Sequence, residues 1–255
     1  MTYIYAYSNH KYGLDRIRRM AVYYRGLRTQ GIEVEMLTND FRAAQVAREL
    51  GVESCTVIQT VWDIDSVAQR GDTLIIDTPE DDRGKLELYV EMFEVVSCIA
   101  NSCEDVSHYG ENIIHIDPLV DSVYHHAKKS KKRERSVLFY GDSDPEKRLS
   151  KEKDLFSGLG IELLLGEYFY HAYEEKLHPI FPIQYEAESY MEIISTSSRI
   201  ITLSAQTAYE ASAAGAEVVY LCHEIEKCKL ERMQSSKIIV LAGNNPKDQL
   251  IKYIK

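Results

Sequence analysis

The stretch Ser-Ala-Gln-Thr-Ala-Tyr-Glu-Ala-Ser-Ala-Ala-Gly, residues 204–215, decides how this 255-residue chain is interpreted. It lies between two apolar runs, Ile-Ile-Thr-Leu at 200–203 and Val-Val-Tyr-Leu at 218–221, so we predict a strand, a helix and a second strand. Hydroxyl residues at its start can cap free backbone N–H groups, and Gly215 can take the left-handed conformation that ends a helix. The helix N-terminus would therefore attract an anion such as a diphosphate.

Polar residues of this helix indicate a ligand site. Glu210 follows Thr207 by three residues and shares its helix face, where a carboxylate could accept hydrogen bonds from sugar hydroxyls. The predicted substrate-binding residues of this segment are Ser204, Gln206, Thr207 and Glu210. The alternative is that Ser204 and Thr207 only cap a helix, because capping patterns of this kind are common.

Strands and helices alternate over the rest of the chain. In the first half, strands are predicted at 3–8, 34–37, 55–58, 73–77, 95–100 and 112–116, and helices at 14–30, 41–50, 64–69 and 85–93. In the second half, further strands are predicted at 137–140, 161–165 and 238–241, and further helices at 147–159, 186–195 and 246–254. This alternation is typical of α/β proteins, in which helices cover both faces of a parallel sheet.

A basic run, Lys-Lys-Ser-Lys-Lys-Arg-Glu-Arg at 128–135, interrupts the alternation. It could bind an acidic partner, but a solvated linker is favoured in an otherwise acidic chain. We therefore predict two doubly wound, Rossmann-like domains, residues 1–127 and 137–255. The carboxyl ends of their strands are expected to face a shared cleft, where ligands of such sheets usually bind.

Composition argues against several classes of protein. The chain has 30 Lys and Arg against 40 Asp and Glu, a net charge of −10, so attraction to nucleic acid or to an anionic membrane is not expected. Neither a signal peptide nor an apolar run of ~20 residues is visible, which predicts a soluble cytoplasmic protein without a membrane span. The five cysteines contain no C-x-x-C pair, and no H-E-x-x-H pattern occurs, so we predict no metal and no cofactor.

Two more polar turns follow predicted strands. The first, residues 8–19, is basic where the first helix begins and could receive a phosphate or a sugar. An ordinary capped helix with a solvated basic face would explain it as well. The second is Gly-Asp-Ser-Asp-Pro at 141–145, where Gly141 would permit close backbone approach, although a plain Asp-Pro turn is an equal explanation.

Taken in order, these segments resemble the nucleotide-sugar hydrolase of pseudaminic acid biosynthesis and its relatives in spore-coat polysaccharide synthesis, which have the two-domain GT-B glycosyltransferase fold. Gly13 and Arg19 match the first Gly and the Arg of the family's Gly-x-Gly-His-x-x-Arg turn, and Leu-Ile-Ile-Asp at 74–77 is similar to its strand ending in Ile-Ile-Asp. Residues 141–144 resemble its Gly-Gly-Ser/Thr-Asp turn. Residues 204–210 correspond to its Ser-x-x-Ser/Thr-x-x-Glu segment, which holds the diphosphate and ribose of a UDP-sugar.

The resemblance implies a UDP-sugar ligand and a set of further substrate-binding residues. Outside 204–210 these are Gly13, Arg19, Asp77, Gly141, Ser143 and Asp144. It also implies a GT-B-like fold and a hydrolase that cleaves the anomeric C–O bond and releases UDP.

This chain departs from the family at the residue that activates water, because Asp15-Arg16 stands where the family has Gly-His. A hydrolase would need Asp15 or nearby His10 as the base. A glycosyltransferase of surface-polysaccharide or flagellar-glycan synthesis is the first alternative, with Arg16 or Arg18 meeting the acceptor's negative charge. A protein that binds the nucleotide-sugar without chemistry is the second. The candidate catalytic residues are Asp15, His10 and Arg16.

Overall fold

The computed structural model describes residues 1–116, 119–243, 250, 251 and 253. The chain divides into two compact units, a first unit of Met1–Leu119 and a second unit of Val120–Lys255. Among the described residues, no helix combines the length and the apolar character needed to cross a membrane.

The first unit is built on a six-stranded parallel sheet. Its strands are β1 (Thr2–Ala6), β2 (Val34–Thr38), β3 (Cys55–Val57), β4 (Thr73–Asp77), β5 (Val95–Ile99) and β6 (Asn112–Ile114). Its helices are α1 (Asp15–Thr29), α2 (Phe41–Glu49) and α3 (Lys85–Met92), with a 3₁₀ helix at Val61–Ser66. The strand order is β3-β2-β1-β4-β5-β6, and every neighbouring pair is parallel. The order reverses between β1 and β4, which is where doubly wound sheets bind ligands.

The second unit repeats this plan. Its strands are β7 (Arg133–Phe139), β8 (Ile161–Leu164), β9 (Gln184–Tyr185), β10 (Ser197–Thr202), β11 (Glu217–Cys222) and β12 (Ile239–Ala242). Its helices are α4 (Ser122–Ala127), α5 (Arg148–Lys151), α6 (Lys153–Phe156), α7 (His171–Leu177), α8 (Tyr190–Thr196), α9 (Ala205–Ala213) and α10 (Lys227–Ser235), with a 3₁₀ helix at Ala187–Ser189. The order β12-β11-β10-β7-β8-β9 is again wholly parallel and reverses between β7 and β10. The predicted α/β class with two doubly wound sheets is confirmed.

The boundary between the compact units differs from the predicted one. The predicted first domain runs to residue 127, whereas the first unit ends at Leu119. Helix α4 contacts α8 and α9, and its Tyr124 is buried in the core cluster that also contains Ala208 and Ala211 of α9. This apolar packing makes α4 part of the second unit.

The basic run is partly a strand. β7 begins at Arg133, and the Arg135 guanidinium donates hydrogen bonds to Ser197 Oγ at 2.9 Å, the Tyr185 hydroxyl at 3.0 Å and Thr196 Oγ1 at 2.7 Å. The predicted linker is wrong from Arg133 onward, because these contacts hold the charged residues on the sheet.

A few other elements differ from the prediction. The predicted helix at 147–159 is two short helices, α5 and α6, and the predicted helix at 64–69 is the 3₁₀ helix at Val61–Ser66. Helices α4, α7 and α10 and strand β9 were not predicted. Helix α10 buries only Met233, so it lacks an apolar stripe. Of the predicted final helix at 246–254, Leu250, Ile251 and Tyr253 are helical, and the rest lies outside the described residues.

Candidate functional site

The turn from β10 to α9 is a capped helix N-terminus. Ser204 has extended backbone angles, and its Oγ accepts hydrogen bonds from the backbone N–H of Thr207 at 3.0 Å and from Thr207 Oγ1 at 2.8 Å. The Ser204 N–H donates to Thr202 Oγ1 at 3.0 Å. The capping role that the sequence left open is therefore real, and it fixes the direction in which α9 leaves the sheet.

The carboxylate of Glu210 lies in the same buried network. Its Oε2 accepts a hydrogen bond from the Tyr190 hydroxyl at 2.7 Å, and its Oε1 accepts one from Gln206 Nε2 at 2.9 Å. The Tyr190 hydroxyl also lies 2.7 Å from Thr207 Oγ1. Glu210 is only 3% exposed and Thr207 is fully buried. The structure thus brings together the N-cap Ser204 and three predicted residues of α9, and Tyr190 bridges Thr207 and Glu210.

Tyr190 is the residue of this network that sequence reasoning missed. It begins α8, a separate helix, and its ring packs edge-on against Phe139 of β7 with centroids 5.1 Å apart. No spacing rule along the chain connects α8 with α9, so the contact became visible only in the fold.

The turn after β7 is held by its own capping contacts. Asp144 Oδ1 accepts from the backbone N–H of Arg148 at 2.8 Å, and Oδ2 accepts from the N–H of Leu149 at 2.9 Å and from the Tyr173 hydroxyl. Burial, followed by the Asp144 charge and hydrogen bond, raises the pKa of Tyr173. These contacts give Asp144 a structural role at the start of α5, and Ser143 is half-buried beside it.

Glycine is required where the β7 and β8 turns meet. Gly141 has a φ of +129°, a value that favours glycine. A Cβ on Gly166 would lie 2.3 Å from the Cα of Asp142, so the two turns are in backbone contact. This close approach therefore requires glycine at position 166.

In the first unit, three predicted residues meet at the end of β4. The fully buried carboxylate of Asp77 accepts hydrogen bonds from Arg19 Nε at 2.6 Å and Arg19 Nη2 at 2.5 Å. Arg16 Nε lies 3.2 Å from Asp77 Oδ1, and Arg16 Nη2 donates to Asn101 Oδ1 at 3.0 Å. Two guanidinium groups therefore share one carboxylate, which leaves this cluster with a net positive charge.

The pKa values of the two arginines are shifted in opposite directions. Burial lowers the pKa of Arg16, and the charge of Asp77 only partly opposes it. Burial also disfavours the Arg19 cation, but the charge and hydrogen bonds of Asp77 outweigh it and raise the Arg19 pKa. Both side chains remain cations at neutral pH, because arginine is effectively always protonated in proteins.

The other predicted residues of the first unit, in the segment that joins β1 to α1, make no contact with Asp77 among the contacts that the structure describes. Asp15 is half-buried, and its Oδ1 lies 3.6 Å from Arg18 Nη1. His10 is exposed in the turn that Gly13 closes by donating its N–H to the Asn9 carbonyl at 2.8 Å. Gly13 has a φ of +67°, so this turn needs its glycine. Arg16 and Arg19 thus face Asp77, whereas Arg18 pairs with Asp15.

Comparison with known proteins adds evidence on the fold. No family model and no curated protein matches the sequence. Solved structures do match over nearly the whole chain. A glycosyltransferase from Rickettsia africae ESF-5 is 10% identical with a TM-score of 0.61, and the match covers 99% of this chain and 87% of that one. The E. coli heptosyltransferase WaaC with ADP is 10% identical with a TM-score of 0.53, covering 99% and 96%.

A third similar structure is the UDP-GlcNAc 2-epimerase from Neisseria meningitidis bound to UDP-GlcNAc. It is 10% identical with a TM-score of 0.52, and the match covers 100% of this chain and 91% of that one. At such identities the likeness concerns the fold, which is the two-domain α/β fold of GT-B glycosyltransferases and their epimerase relatives.

Proposed function

We propose that this protein acts on a nucleotide-sugar, with the diphosphate bound at the β10–α9 turn of the second unit. The observation that carries the proposal is the capped N-terminus of α9 beside the buried Glu210. It occurs in a fold whose solved neighbours include an ADP-bound heptosyltransferase and a UDP-GlcNAc-bound epimerase. Backbone N–H groups and the helix dipole at a helix N-terminus favour an anion.

The same elements would assist bond cleavage. Breaking the anomeric C–O bond leaves negative charge on the departing diphosphate, and preorganised N–H donors stabilise charge that develops in a transition state. Glu210 would accept hydrogen bonds from the sugar hydroxyls of the nucleotide once the Tyr190 hydroxyl shares or releases its oxygen.

Hydrolysis is the first form of this activity. It requires a base that deprotonates water, and Asp15 is our candidate because it replaces the glycine next to the family's histidine position. UDP is the expected product, by resemblance. Arg18 Nη1 lies 3.6 Å from Asp15 Oδ1, so a cation stands beside the proposed base.

Transfer to an organic acceptor is the second form, and one observation favours it. The first unit contains a cavity of about 180 Å³ lined in part by Asn101, the residue that binds Arg16. A hydrolase needs room only for water, whereas a transferase needs room for an acceptor. The carboxylates that line this cavity favour an acceptor without negative charge, unlike the anionic acceptor that Arg16 or Arg18 would suit.

The test is release of UDP from UDP-sugars, measured first in buffer and then with alcohol and amine acceptors. Release in buffer alone supports hydrolysis, and release that depends on an acceptor supports transfer. Saturable nucleotide binding without release supports a binding protein. Neither release nor binding, with any nucleotide-sugar tried, would overturn the proposal.

A further inference from the structure

The cavity lined by Asn101 is formed by residues of the first unit, whereas the proposed nucleotide site is formed by residues of the second unit. The cavity lies at the carboxyl ends of β4 and β5 and has apolar walls that include Val61, Ile76, Tyr89 and Ile99, each at most 4% exposed. Its volume is about 180 Å³. An apolar cavity of about 150 Å³ is known to hold benzene, so this one has room for about six to eight non-hydrogen atoms.

Negative groups dominate the rest of the lining. The carboxylates are Glu80, Asp82, Asp105 and Glu111. Among the residues that the structure describes, no lysine or arginine joins them in the lining. Two nearby cations are held by other carboxylates, since Lys85 Nζ lies 2.6 Å from Asp65 Oδ2 and Arg16 Nε lies 3.2 Å from Asp77 Oδ1. Arg16 reaches the lining only through its hydrogen bond to Asn101. A concave surface of one sign with apolar walls attracts cations and repels anions.

These carboxylates retain acceptor capacity. Glu80 accepts hydrogen bonds from the Tyr5 hydroxyl, the Val61 N–H and Thr78 Oγ1 on Oε2 alone, which leaves Oε1 available in the described part of the chain. Asp105 likewise accepts on Oδ2, from the N–H groups of Asn101 and Ser102. The contacts fix both carboxylates in place while one oxygen of each can meet a ligand.

Cys98 also lines the cavity and adds no charge to it. Burial, followed by the charges of Glu111 and Asp82, raises the pKa of its thiol to about 12, so the group is neutral at pH 7. It therefore contributes soft, apolar surface to the cavity rather than a thiolate.

The geometry points to a binding site for a small amphiphilic cation. Its apolar body, of about six to eight non-hydrogen atoms, occupies the space among the buried walls, and its protonated amine meets Glu80 and Asp105. An anion of the same shape is excluded by the carboxylates. This assignment does not depend on the nucleotide-sugar proposal, because it uses no residue of the second unit.

Three ligands with the same cyclohexyl body test the site by isothermal titration calorimetry on the full chain at pH 7. Cyclohexylamine should bind saturably with one-to-one stoichiometry, cyclohexanol should bind at least about tenfold more weakly, and cyclohexanecarboxylate should not bind. A titration with UDP on the same preparation reports separately on the nucleotide site.

Two variants and one control locate the binding. Glu80→Gln should weaken cyclohexylamine binding by about tenfold or more, whereas Glu87→Gln, exposed on α3 outside the lining, should not change it. Val106→Trp should block the cavity while the chain still folds, because Val106 is 62% exposed. Absence of saturable amine binding, equal binding of the carboxylate, or unchanged affinity in both lining variants would overturn the assignment.

Discussion

The Tyr190 hydroxyl donates a hydrogen bond to Glu210 Oε2 at 2.7 Å and so holds the carboxylate that we assign to the nucleotide. The Tyr190 hydroxyl also lies 2.7 Å from Thr207 Oγ1. Thr207 and Glu210 belong to α9, the helix whose N-terminus we assign to the diphosphate. A sugar hydroxyl that binds Glu210 Oε2 must share that oxygen with Tyr190 or displace Tyr190 from it. Ligand affinity should therefore depend on this tyrosine in a definite direction.

Replacing Tyr190 with Phe should increase nucleotide-sugar affinity, because Glu210 loses the donor that competes with the ligand. The change should also lower the free energy of unfolding by about 1 kcal/mol, the usual net value of one hydrogen bond. Urea unfolding and calorimetric titration measure the two effects. Tyr185→Phe is the matched control, since its hydroxyl contacts Arg135 and Glu162 instead, and it should leave affinity unchanged. Weaker binding in Tyr190→Phe would mean that the hydroxyl itself binds the ligand.

Glu210→Gln should weaken nucleotide binding by about 1.5–3 kcal/mol, because a charge-assisted hydrogen bond becomes a neutral one. The chain should still fold, since glutamine has nearly the same shape. Calorimetry gives the affinity, and a thermal melt checks the fold. The control is Glu162→Gln, because Glu162 accepts a hydrogen bond from the Tyr185 hydroxyl in the same way but lies outside the α9 network. This variant should bind nucleotide normally. Normal affinity in Glu210→Gln would remove this residue from the site.

Asp15→Asn should lower turnover by about 10²–10⁴-fold while nucleotide affinity changes little, because it removes a proposed base and no nucleotide contact. Steady-state UDP release and calorimetric binding separate the two effects. Unchanged turnover in a well-folded Asp15→Asn chain would exclude this residue as the base. Loss of binding with Asp15→Asn, together with normal binding in Glu210→Gln, would mean that the roles of the two units are exchanged.

Asp77→Asn should destabilise the chain by about 3 kcal/mol, because it leaves Arg16 and Arg19 without the carboxylate that they share. Urea unfolding measures this. The matched control is Glu53→Gln, which breaks the exposed pair with Arg28 and should cost less than about 1 kcal/mol. Equal small effects in both variants would show that the buried pair adds little to stability.

The sequence predicted the sheets well because their signals are local. Apolar runs such as 200–203 and glycines such as Gly215 mark strands and helix ends without reference to the rest of the chain. Helix α10 was missed because it rests on the protein through little more than Met233 and so has no periodic apolar face. Helix α7 does bury Tyr173 and Leu177, four residues apart, but two apolar positions in a seven-residue helix were too weak a signal within the aromatic segment.

The candidate site was predicted only in part, because its residues come from separate elements. Helical spacing related Thr207 to Glu210, but the contact with Tyr190 depends on how α8 packs against α9. Likewise, the sequence identified Asp77 and Arg19 one by one, whereas their bidentate pairing follows from α1 lying against the end of β4. The cavity beside Asn101 had no sequence signal at all, since its walls come from several strands and loops.

The central claim, that a nucleotide-sugar binds at the α9 N-terminus, is tested most directly by a thermal-shift screen of UDP, CMP, GDP and their sugar conjugates, with calorimetry on any ligand found. UDP and UDP-sugars should stabilise the chain, by roughly 2.7 kcal/mol at about 100 times the dissociation constant. Ser204→Ala should weaken that binding, whereas Asp40→Ala, which removes the equivalent cap of α2, should not. If no nucleotide or conjugate shifts unfolding and millimolar UDP-sugar gives only heat of dilution, the claim is wrong.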